Sequence, residues 1–173
     1  MQLEQLKYPL GKFDYFKELG PTDLAEGIAV IEAFPARLSA LAARLTDAQW
    51  ETSYRADGWT ARQVVHHLAD SHSNALIRFK LALTEDNPTI KPYRENLWAD
   101  LPDSVNAPVE WSLQILDALH ARWTLLLRNM SEADFDRTYF HPDSQRTFPL
   151  RQVVSLYAWH CNHHYAHVEA VTV

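Results

Sequence analysis

Apolar residues recur at intervals of three and four along four stretches of the chain, which is the spacing of one face of an α-helix. The first stretch runs from about Asp23 to Leu45, and the second from Thr60 to Leu83. The third runs from about Val109 to Met130, and the fourth from Leu150 to Ala170. We predict one amphipathic helix for each stretch.

Capping residues and prolines mark where these helices begin, bend and end. Thr60 precedes the second helix and Gln63 follows three residues later, which is the spacing of a capping box. Pro35 lies inside the first helix and predicts a kink or a break, because proline lacks the N–H that the helix ladder needs. Residues 84–108 carry four prolines and predict a long loop, whereas residues 138–149 predict a hairpin or an extended loop.

Four amphipathic helices with little strand signal predict an all-α fold of the helix-bundle type. The long loop would join the second and third helices of this bundle. With 173 residues, of which 47% are hydrophobic, the chain is long enough for one domain spanning residues 1–173. The chain has only four glycines, which argues against a turn-rich β architecture.

Charge and composition exclude several classes of function. The net charge of −6 comes without a basic stripe, which argues against a nucleic-acid partner. No apolar run approaches the roughly 18 residues of a membrane span. The first residues include an acidic side chain and no apolar core of a signal peptide, and the single Cys161 cannot form an internal disulfide. These features predict a cytoplasmic protein with no membrane partner.

Histidines are concentrated on two of the predicted helices, and their spacing suggests a metal site. Four of the nine histidines fall between residues 160 and 167. His160 and His164 lie four residues apart, so they share a helix face and point inward together. His67 lies on a flank of the second helix. A seam between these helices would bring three nitrogens to one divalent metal per chain, Zn or Ni, with open positions left for water or substrate.

The remaining histidines and the cysteine receive less specific roles. We predict that His66, His72, His163 and His167 support the site, fill the core or lie at the surface, and that among them His72 approaches the site. Cys161 is predicted to be a small core residue. The competing interpretation of the three proposed ligands is that they are hydrogen-bonded core histidines.

An open metal site predicts an enzyme that acts on a small molecule, but it leaves the chemistry undecided. The metal would activate either water for hydrolysis or a thiol for S-transfer. A non-catalytic binding protein stabilised by metal is a further alternative. A di-iron carboxylate site is disfavoured, because the Glu-x-x-His spacing it needs is missing from these helices.

The long loop and the second helix supply candidates for other roles at the site. Arg78, on the same flank as His67, would bind a substrate carboxylate or form an ion pair. Tyr93 and Trp98 would wall an apolar pocket or pack the loop against the bundle. The candidates for a general base are His72, Tyr93, Arg94 and Glu95.

Several segments together resemble the DinB/YfiT-like superfamily. Residues 58–72 (GWTARQVVHHLADSH) resemble its second-helix motif, and residues 159–164 (WHCNHH) resemble its closing H-x-x-H-H motif. Residues 8–13, 77–85 and 91–93 are similar to its YfiT branch. The resemblance extends over nearly the whole chain.

This resemblance implies a specific fold and a general activity. The fold would be an antiparallel four-helix bundle with the unusual order up-down-down-up. The three metal ligands would be the residues that match His67, His160 and His164. The implied activity is that of a metal-dependent hydrolase, while some relatives transfer low-molecular-weight thiols such as bacillithiol. The resemblance also implies a homodimer.

Overall fold

Four long helices and several short ones make up the structure. The computed structural model describes residues 3–172, and Met1, Gln2 and Val173 lie outside the described range. The helices in chain order are α1 (Leu3–Lys7), α2 (Pro21–Ala42), α3 (Asp47–Trp50), α4 (Ala61–Thr84), α5 (Glu95–Ala99), α6 (Pro102–Asn106), α7 (Val109–Arg128), α8 (Glu132–Phe135) and α9 (Leu150–Glu169), followed by a 3₁₀ turn (Ala170–Thr172). Strands β1 (Thr138–His141) and β2 (Arg146–Pro149) form an antiparallel hairpin before α9.

The contacts along α2 and α9 show that these two helices run in the same direction. Gly27, early in α2, lies so close to α9 that a Cβ added there would meet Val154 at 3.0 Å. Arg37, late in α2, donates a hydrogen bond to Asn162, late in α9, over 2.9 Å. Early residues meet early ones and late residues meet late ones, so the two helices are parallel.

The contacts of α4 complete the topology. His66 and Phe79 of α4 meet Ser112 and Trp123 of α7 respectively, in the same order along both helices. Against α9 the order is reversed, because His67 meets His160 whereas the later residues of α4 meet earlier residues of α9. Helix α4 is thus parallel to α7 and antiparallel to α9. The four long helices therefore follow the predicted up-down-down-up order.

Aromatic and aliphatic side chains from all four long helices fill the interior of the bundle. Phe34, Phe79 and Trp123 are fully buried, and the Phe79 and Trp123 rings meet edge to face with centroids 5.4 Å apart. Leu68 and Val154 are also fully buried. Burial of this apolar surface is the main source of the bundle's stability. No helix within residues 3–172 combines the length and the apolar character that a membrane span requires.

Helix α2 continues unbroken through Pro35, so the predicted break is wrong. A proline removes the N–H that would bind the carbonyl four residues earlier, which here is that of Ile31. The ring of His120 on α7 takes over this role, because its Nδ1 lies 2.6 Å from the Ile31 oxygen. The helix therefore continues with its carbonyl satisfied from a neighbouring helix.

The cap that begins α4 is formed as predicted and fixes the helix that carries His67. The Thr60 hydroxyl accepts a hydrogen bond from the Gln63 N–H over 3.2 Å, and the Gln63 side chain accepts one from the Thr60 N–H over 2.9 Å. The Gln63 amide also donates to the carbonyl of Ala99 over 2.8 Å. The cap thereby joins the start of α4 to the end of α5.

Replacing Thr60 with alanine should lower the free energy of unfolding by about 1 kcal/mol, because one N–H at the helix start loses its acceptor. Urea unfolding followed by circular dichroism measures this change. The matched control Thr60→Ser keeps the hydroxyl and should retain most of the stability. Equal unfolding midpoints for wild type and the alanine variant would show that the cap does not stabilise the fold.

The predicted long loop between the second and third helices contains two short helices, α5 and α6. It is held to the hairpin by backbone hydrogen bonds, from Ile90 to Phe140 over 3.0 Å and from Phe140 to Pro88 over 2.9 Å. The hairpin itself confirms one of the two alternatives predicted for residues 138–149. Loop and hairpin together build the walls of a cavity at one side of the α4–α9 seam.

Candidate metal centre

Three histidines from two helices meet where α4 crosses α9. His67 comes from α4, and His160 and His164 come from successive turns of α9; one ring nitrogen of each lies within 4.8 Å of the other two. The Nε2 atoms of His67 and His160 are 3.3 Å apart. Nitrogens that bind one zinc tetrahedrally at about 2.0–2.1 Å are separated by roughly 3.3 Å. The spacing of these rings therefore fits a shared metal ion.

Burial keeps all three rings neutral, which is the form that binds a metal. Burial, and secondarily the charge of His167, lowers the pKa of His67 to about 4. Burial and the neighbouring histidines hold the pKa values of His160 and His164 well below their usual range. A protonated imidazole has no lone pair for a metal, so near neutral pH the three nitrogens are available as ligands.

A cavity of about 1120 Å³ opens onto the three histidines. This volume suits a small organic substrate rather than a macromolecule. The cavity walls come from the N-terminal segment, the segment before α4, the loop containing α5, the hairpin and α9. Besides the three histidines, its lining includes Tyr8, Tyr15, Tyr54, Trp59, Ser71, Arg78, Tyr93, Arg94, Glu95, His141 and Tyr157.

Arg78 is a cationic group of this cavity without a carboxylate partner. Among residues 3–172, the ion pairs involve other basic side chains and leave Arg78 out. Tyr93 and Tyr157 lie close enough to be affected by its charge: burial raises the pKa of each phenol, and Arg78 lowers it. The predicted ion pair of Arg78 is thus not formed, and its guanidinium faces the cavity side of the bundle.

The structure separates the other loop candidates into those that line the cavity and those that do not. Tyr93, Arg94 and Glu95 line it, as a role near the substrate requires. Trp98 is not part of the lining and packs behind Tyr93, with ring centroids 4.5 Å apart. His72 is completely buried and does not line the cavity, so it is wrong as a candidate general base.

His72 instead belongs to a chain of buried hydrogen bonds that ends on His160. Its Nε2 is 3.1 Å from Nδ1 of His160, and its Nδ1 is 2.7 Å from Nε2 of His120. His120 in turn contacts the Ile31 carbonyl. His72 thus approaches the site as predicted, and His167 approaches it to a similar distance, with Nδ1 3.3 Å from Nδ1 of His164. His120 was missed because an isolated histidine on α7 carries no spacing signal; Pro35, four residues after Ile31, was the available clue.

A second group of histidines adjoins the first on α9. Ring nitrogens of His163, His164 and His167 also lie within 4.8 Å of one another. His163, for which a supporting, core or surface position was predicted, is buried because Trp159 stacks on it with ring centroids 4.3 Å apart. His167 is covered by the N-terminal segment, and its Nε2 lies 3.3 Å from the Lys7 carbonyl. His163 is thus covered from within α9, whereas the cover of His167 comes from a segment distant in sequence.

The remaining histidine and cysteine predictions are confirmed. His66 points away from the site, with Nδ1 2.7 Å from the Ser112 hydroxyl and Nε2 3.2 Å from the Ala107 carbonyl. Cys161 is fully buried in the core. Burial raises the pKa of its thiol, which keeps the sulfur protonated and unsuited to binding a metal.

Comparison with known proteins identifies a family and several relatives that this chain resembles. The sequence profile of the DinB superfamily matches residues 31–168. The chain is 45% identical to "Putative metal-dependent hydrolase YfiT" of Bacillus subtilis over 94% of this chain and 92% of the relative. It is 48% identical to a protein of Oceanobacillus iheyensis, also named a putative metal-dependent hydrolase, over 95% of each chain.

A solved structure extends the likeness to three dimensions. The structure of YfiT from Bacillus subtilis, described as a probable metal-dependent hydrolase with an unusual four-helix bundle topology, superposes with a TM-score of 0.93. The match has 44% sequence identity and covers 96% of this chain and 95% of that one. Sequence and fold thus agree, and the chain belongs to the DinB superfamily as a YfiT-like member.

Proposed function

We propose that this chain is a metal-dependent hydrolase in which His67, His160 and His164 bind one divalent cation, Zn or Ni. The observation that carries the proposal is the meeting of three neutral ring nitrogens at a cavity of about 1120 Å³. Three protein ligands leave coordination positions open, as catalytic rather than structural sites do. The names of the relatives support a metal-dependent reaction of this kind.

The neutral ligand set determines what a bound cation would contribute. Three imidazoles leave its positive charge uncompensated, and such an ion lowers the pKa of a coordinated water or thiol towards neutrality. The histidines would also orient the reacting group towards the cavity, because their helices α4 and α9 are rigid elements of the bundle. Trp59 packs against His67 with ring centroids 4.7 Å apart and limits its movement.

A second candidate function, transfer of a low-molecular-weight thiol, is favoured by the composition of the histidine group. Within residues 3–172, neither candidate ligand group contains an aspartate or a glutamate. A carboxylate beside the metal would serve as general base for water, as in H-E-x-x-H enzymes. Deprotonation of a thiol depends less on a general base, because the ordinary pKa of a thiol, about 8.5, already lies near neutrality.

The cavity lining suggests that the substrate carries an anionic group. Arg78 offers a guanidinium without an ion-pair partner among the described residues, close to the phenols of Tyr93 and Tyr157. Arginine binds carboxylates through two parallel hydrogen bonds. Glu95 lines the same cavity, and burial raises the pKa of its carboxyl. A carboxylate-bearing thiol or amide fits this arrangement.

Replacing Arg78 with glutamine should raise KM for a carboxylate-bearing substrate about 10- to 100-fold, since hydrogen bonds to charged groups contribute about 1.5–3 kcal/mol. Conjugation of monochlorobimane can be followed with bacillithiol, which carries carboxylates, and with cysteamine, which carries none. The KM for cysteamine should stay unchanged, and Arg78→Lys should fall between wild type and glutamine for bacillithiol. Equal KM values for bacillithiol in all three proteins would exclude Arg78 as the anion-binding residue.

The experiment that separates the functions uses one preparation in two assays. Protein loaded with Zn²⁺ or Ni²⁺ is tested for cleavage of an ester and amide panel and for conjugation of candidate thiols to monochlorobimane. Metal-dependent cleavage supports the hydrolase, whereas metal-dependent conjugation alone supports the transferase. If metal raises the unfolding temperature but neither assay shows turnover, the chain is a metal-stabilised binding protein.

A further inference from the structure

We propose that two histidine relays, each ending on a backbone carbonyl, fix the tautomers of His160 and His164 so that both present an Nε2 lone pair to the metal. The positioning residues are His72 and His120 in one relay and His167 in the other. The inference rests on the metal centre proposed above. It assigns roles to three buried histidines that do not bind the metal themselves.

The first relay runs from α2 through α7 and α4 to α9. Nδ1 of His120 is 2.6 Å from the Ile31 carbonyl oxygen, and Nε2 of His120 is 2.7 Å from Nδ1 of His72. Nε2 of His72 is 3.1 Å from Nδ1 of His160. Each ring thus uses both of its nitrogens, and one residue from each long helix takes part.

The carbonyl at its end determines the direction of every hydrogen bond in this relay. A carbonyl oxygen only accepts, so Nδ1 of His120 carries the proton and its Nε2 accepts. His72 must then donate from Nδ1 and accept at Nε2. His160 must in turn donate from Nδ1, which leaves its Nε2 with a lone pair. That Nε2 is the atom 3.3 Å from Nε2 of His67.

Pro35 makes the carbonyl at this end available. In a regular helix the N–H of residue 35 would bind the Ile31 oxygen, but proline has none. Without His120, the Ile31 carbonyl would be a buried acceptor with no partner in a fully buried part of the core. The need to satisfy this carbonyl therefore holds His120 in the one tautomer that the relay requires.

The second relay reaches His164 from the N-terminal segment. Nε2 of His167 lies 3.3 Å from the Lys7 carbonyl oxygen, so Nε2 carries the proton and Nδ1 accepts. Nδ1 of His164 lies 3.3 Å from Nδ1 of His167 and must therefore donate. The Nε2 of His164 is left with the lone pair. The second histidine group on α9 then contains a support for the metal centre rather than a second metal site.

The surroundings of the first relay exclude water, which would otherwise compete for these hydrogen bonds. His72 and His120 are 0% and 1% exposed. Phe34 and Trp123 pack against both of their rings, with centroids between 5.7 and 6.1 Å apart. In such an environment an unpaired ring nitrogen is costly, so the relay has one stable arrangement.

The relays set the tautomers of His160 and His164 in the metal-free protein, before a metal binds. In water, the Nε2–H form of neutral histidine predominates, and this form has no lone pair at Nε2. The relays hold His160 and His164 in the opposite form, with Nε2 free. A hydrogen bond from the other ring nitrogen also fixes the orientation of a ligand and increases its basicity. Loss of such a partner typically lowers metal affinity about 10- to 100-fold.

The direct test is the tautomer of each ring in metal-free wild-type protein, read from ¹⁵N chemical shifts and long-range ¹⁵N–¹H couplings at neutral pH. His72, His120, His160 and His164 should all carry the proton on Nδ1, and His167 on Nε2. A proton on Nε2 of His160 or of His164 would overturn the corresponding relay. This measurement needs no variant, so it does not depend on whether a substituted protein folds.

Substitutions test the consequence for the metal. His120→Phe and His167→Phe should each lower Zn²⁺ affinity about 10- to 100-fold and leave a mixture of tautomers at the ligand they support. His120→Gln and His167→Gln keep one donor and one acceptor and should recover part of the affinity. His66→Phe, which removes a buried histidine outside both relays, should bind Zn²⁺ like wild type. Unchanged affinity in both phenylalanine variants would overturn the proposal.

The outcomes distinguish failure of the relays from failure of the proposed function. Wild type that shows the expected tautomers but binds no divalent metal would refute the metal centre and leave the hydrogen-bond chains intact. Wild type that binds Zn²⁺ with His160 protonated on Nε2 before metal addition would refute the first relay and leave the metal centre intact. The NMR and Zn²⁺-binding experiments use the same full-length protein.

Discussion

Replacing His160 with alanine is expected to remove the bound divalent metal and all metal-dependent turnover. His160 is one of the three proposed ligands, and its Nε2 faces Nε2 of His67 over 3.3 Å. Two remaining imidazoles would hold a cation far more weakly than three. The fold should survive, because His160 lies at the edge of the cavity while the apolar core beneath it stays unchanged. Metal content by mass spectrometry, circular dichroism and the two activity assays measure these outcomes.

The matched control for this prediction is His163→Ala. His163 is a buried histidine on the same helix as His160 and also belongs to a group of three residues whose ring nitrogens lie within 4.8 Å of one another. It lies outside the proposed ligand set, so this variant should keep about one metal per chain. If His163→Ala loses the metal while His160→Ala keeps it, the ligands have been assigned to the wrong group.

Metal-free protein is expected to lose stability steeply as the pH falls from 7 to 5. Burial lowers the pKa of His67, His163 and His167 to about 4, and burial together with the neighbouring histidines holds those of His160 and His164 well below their usual range. Below pH 6.5 the unfolded chain therefore binds protons that the folded chain does not. Each histidine that stays unprotonated in the folded state then lowers the free energy of unfolding by roughly 2 kcal/mol between pH 6.5 and 5, at about 1.36 kcal/mol per pH unit. Urea unfolding at several pH values measures the loss.

Two carboxyls, those of Asp70 and Glu95, oppose this trend, because burial raises the pKa of each. Burial raises the pKa of Asp70 to about 6, so its neutral form is favoured in the folded state and it contributes stability at low pH that is lost as the pH rises through 6. The five histidines outnumber these two carboxyls, so the net stability should fall as the pH falls from 7 to 5. Saturating Zn²⁺ should raise stability at pH 7, because it binds only the folded state. A free energy of unfolding that stays constant or increases from pH 7 to 5 would contradict the neutral, buried histidine cluster.

The long helices and the ligand candidates could be predicted because their signals are local. Spacing of three and four in the apolar residues defined α4 and α9, and the same periodicity placed His160 and His164 on one inward face. The capping pair Thr60 and Gln63 located the start of α4 to the residue. Short elements such as α5 and α6 were missed, because five residues are too few to show a helical period.

The support of the site could not be predicted, because it depends on contacts between distant parts of the chain. His120 is 89 residues from Ile31 and 48 from His72, so nothing beside it in the sequence indicates its partners. The position of His163 was left open between core, support and surface; it is buried because Trp159 of the same helix stacks on it and Tyr8 of the N-terminal segment lies near its ring, with centroids 6.0 Å apart. A projection describes one helix at a time and cannot include a segment that folds over it.

Pro35 removes a hydrogen bond from α2, as expected, but the helix break predicted from that loss does not occur. The Ile31 carbonyl does lack its usual donor within α2. A kink or a break was expected because proline lacks the N–H that the helix ladder needs. The replacement donor comes from His120 on another helix, so the position of Pro35 in α2 lies at the start of the proposed relay to His160.

Anomalous diffraction from crystals of the full chain grown with Zn²⁺ tests the proposed metal centre most directly. One peak per chain is expected at about 2.0–2.1 Å from a ring nitrogen of each of His67, His160 and His164. The Nε2 atoms of His160 and His164 should be the ones that face it. A peak bound instead by His163, His164 and His167, or no peak from protein saturated with Zn²⁺, would contradict the three-histidine site.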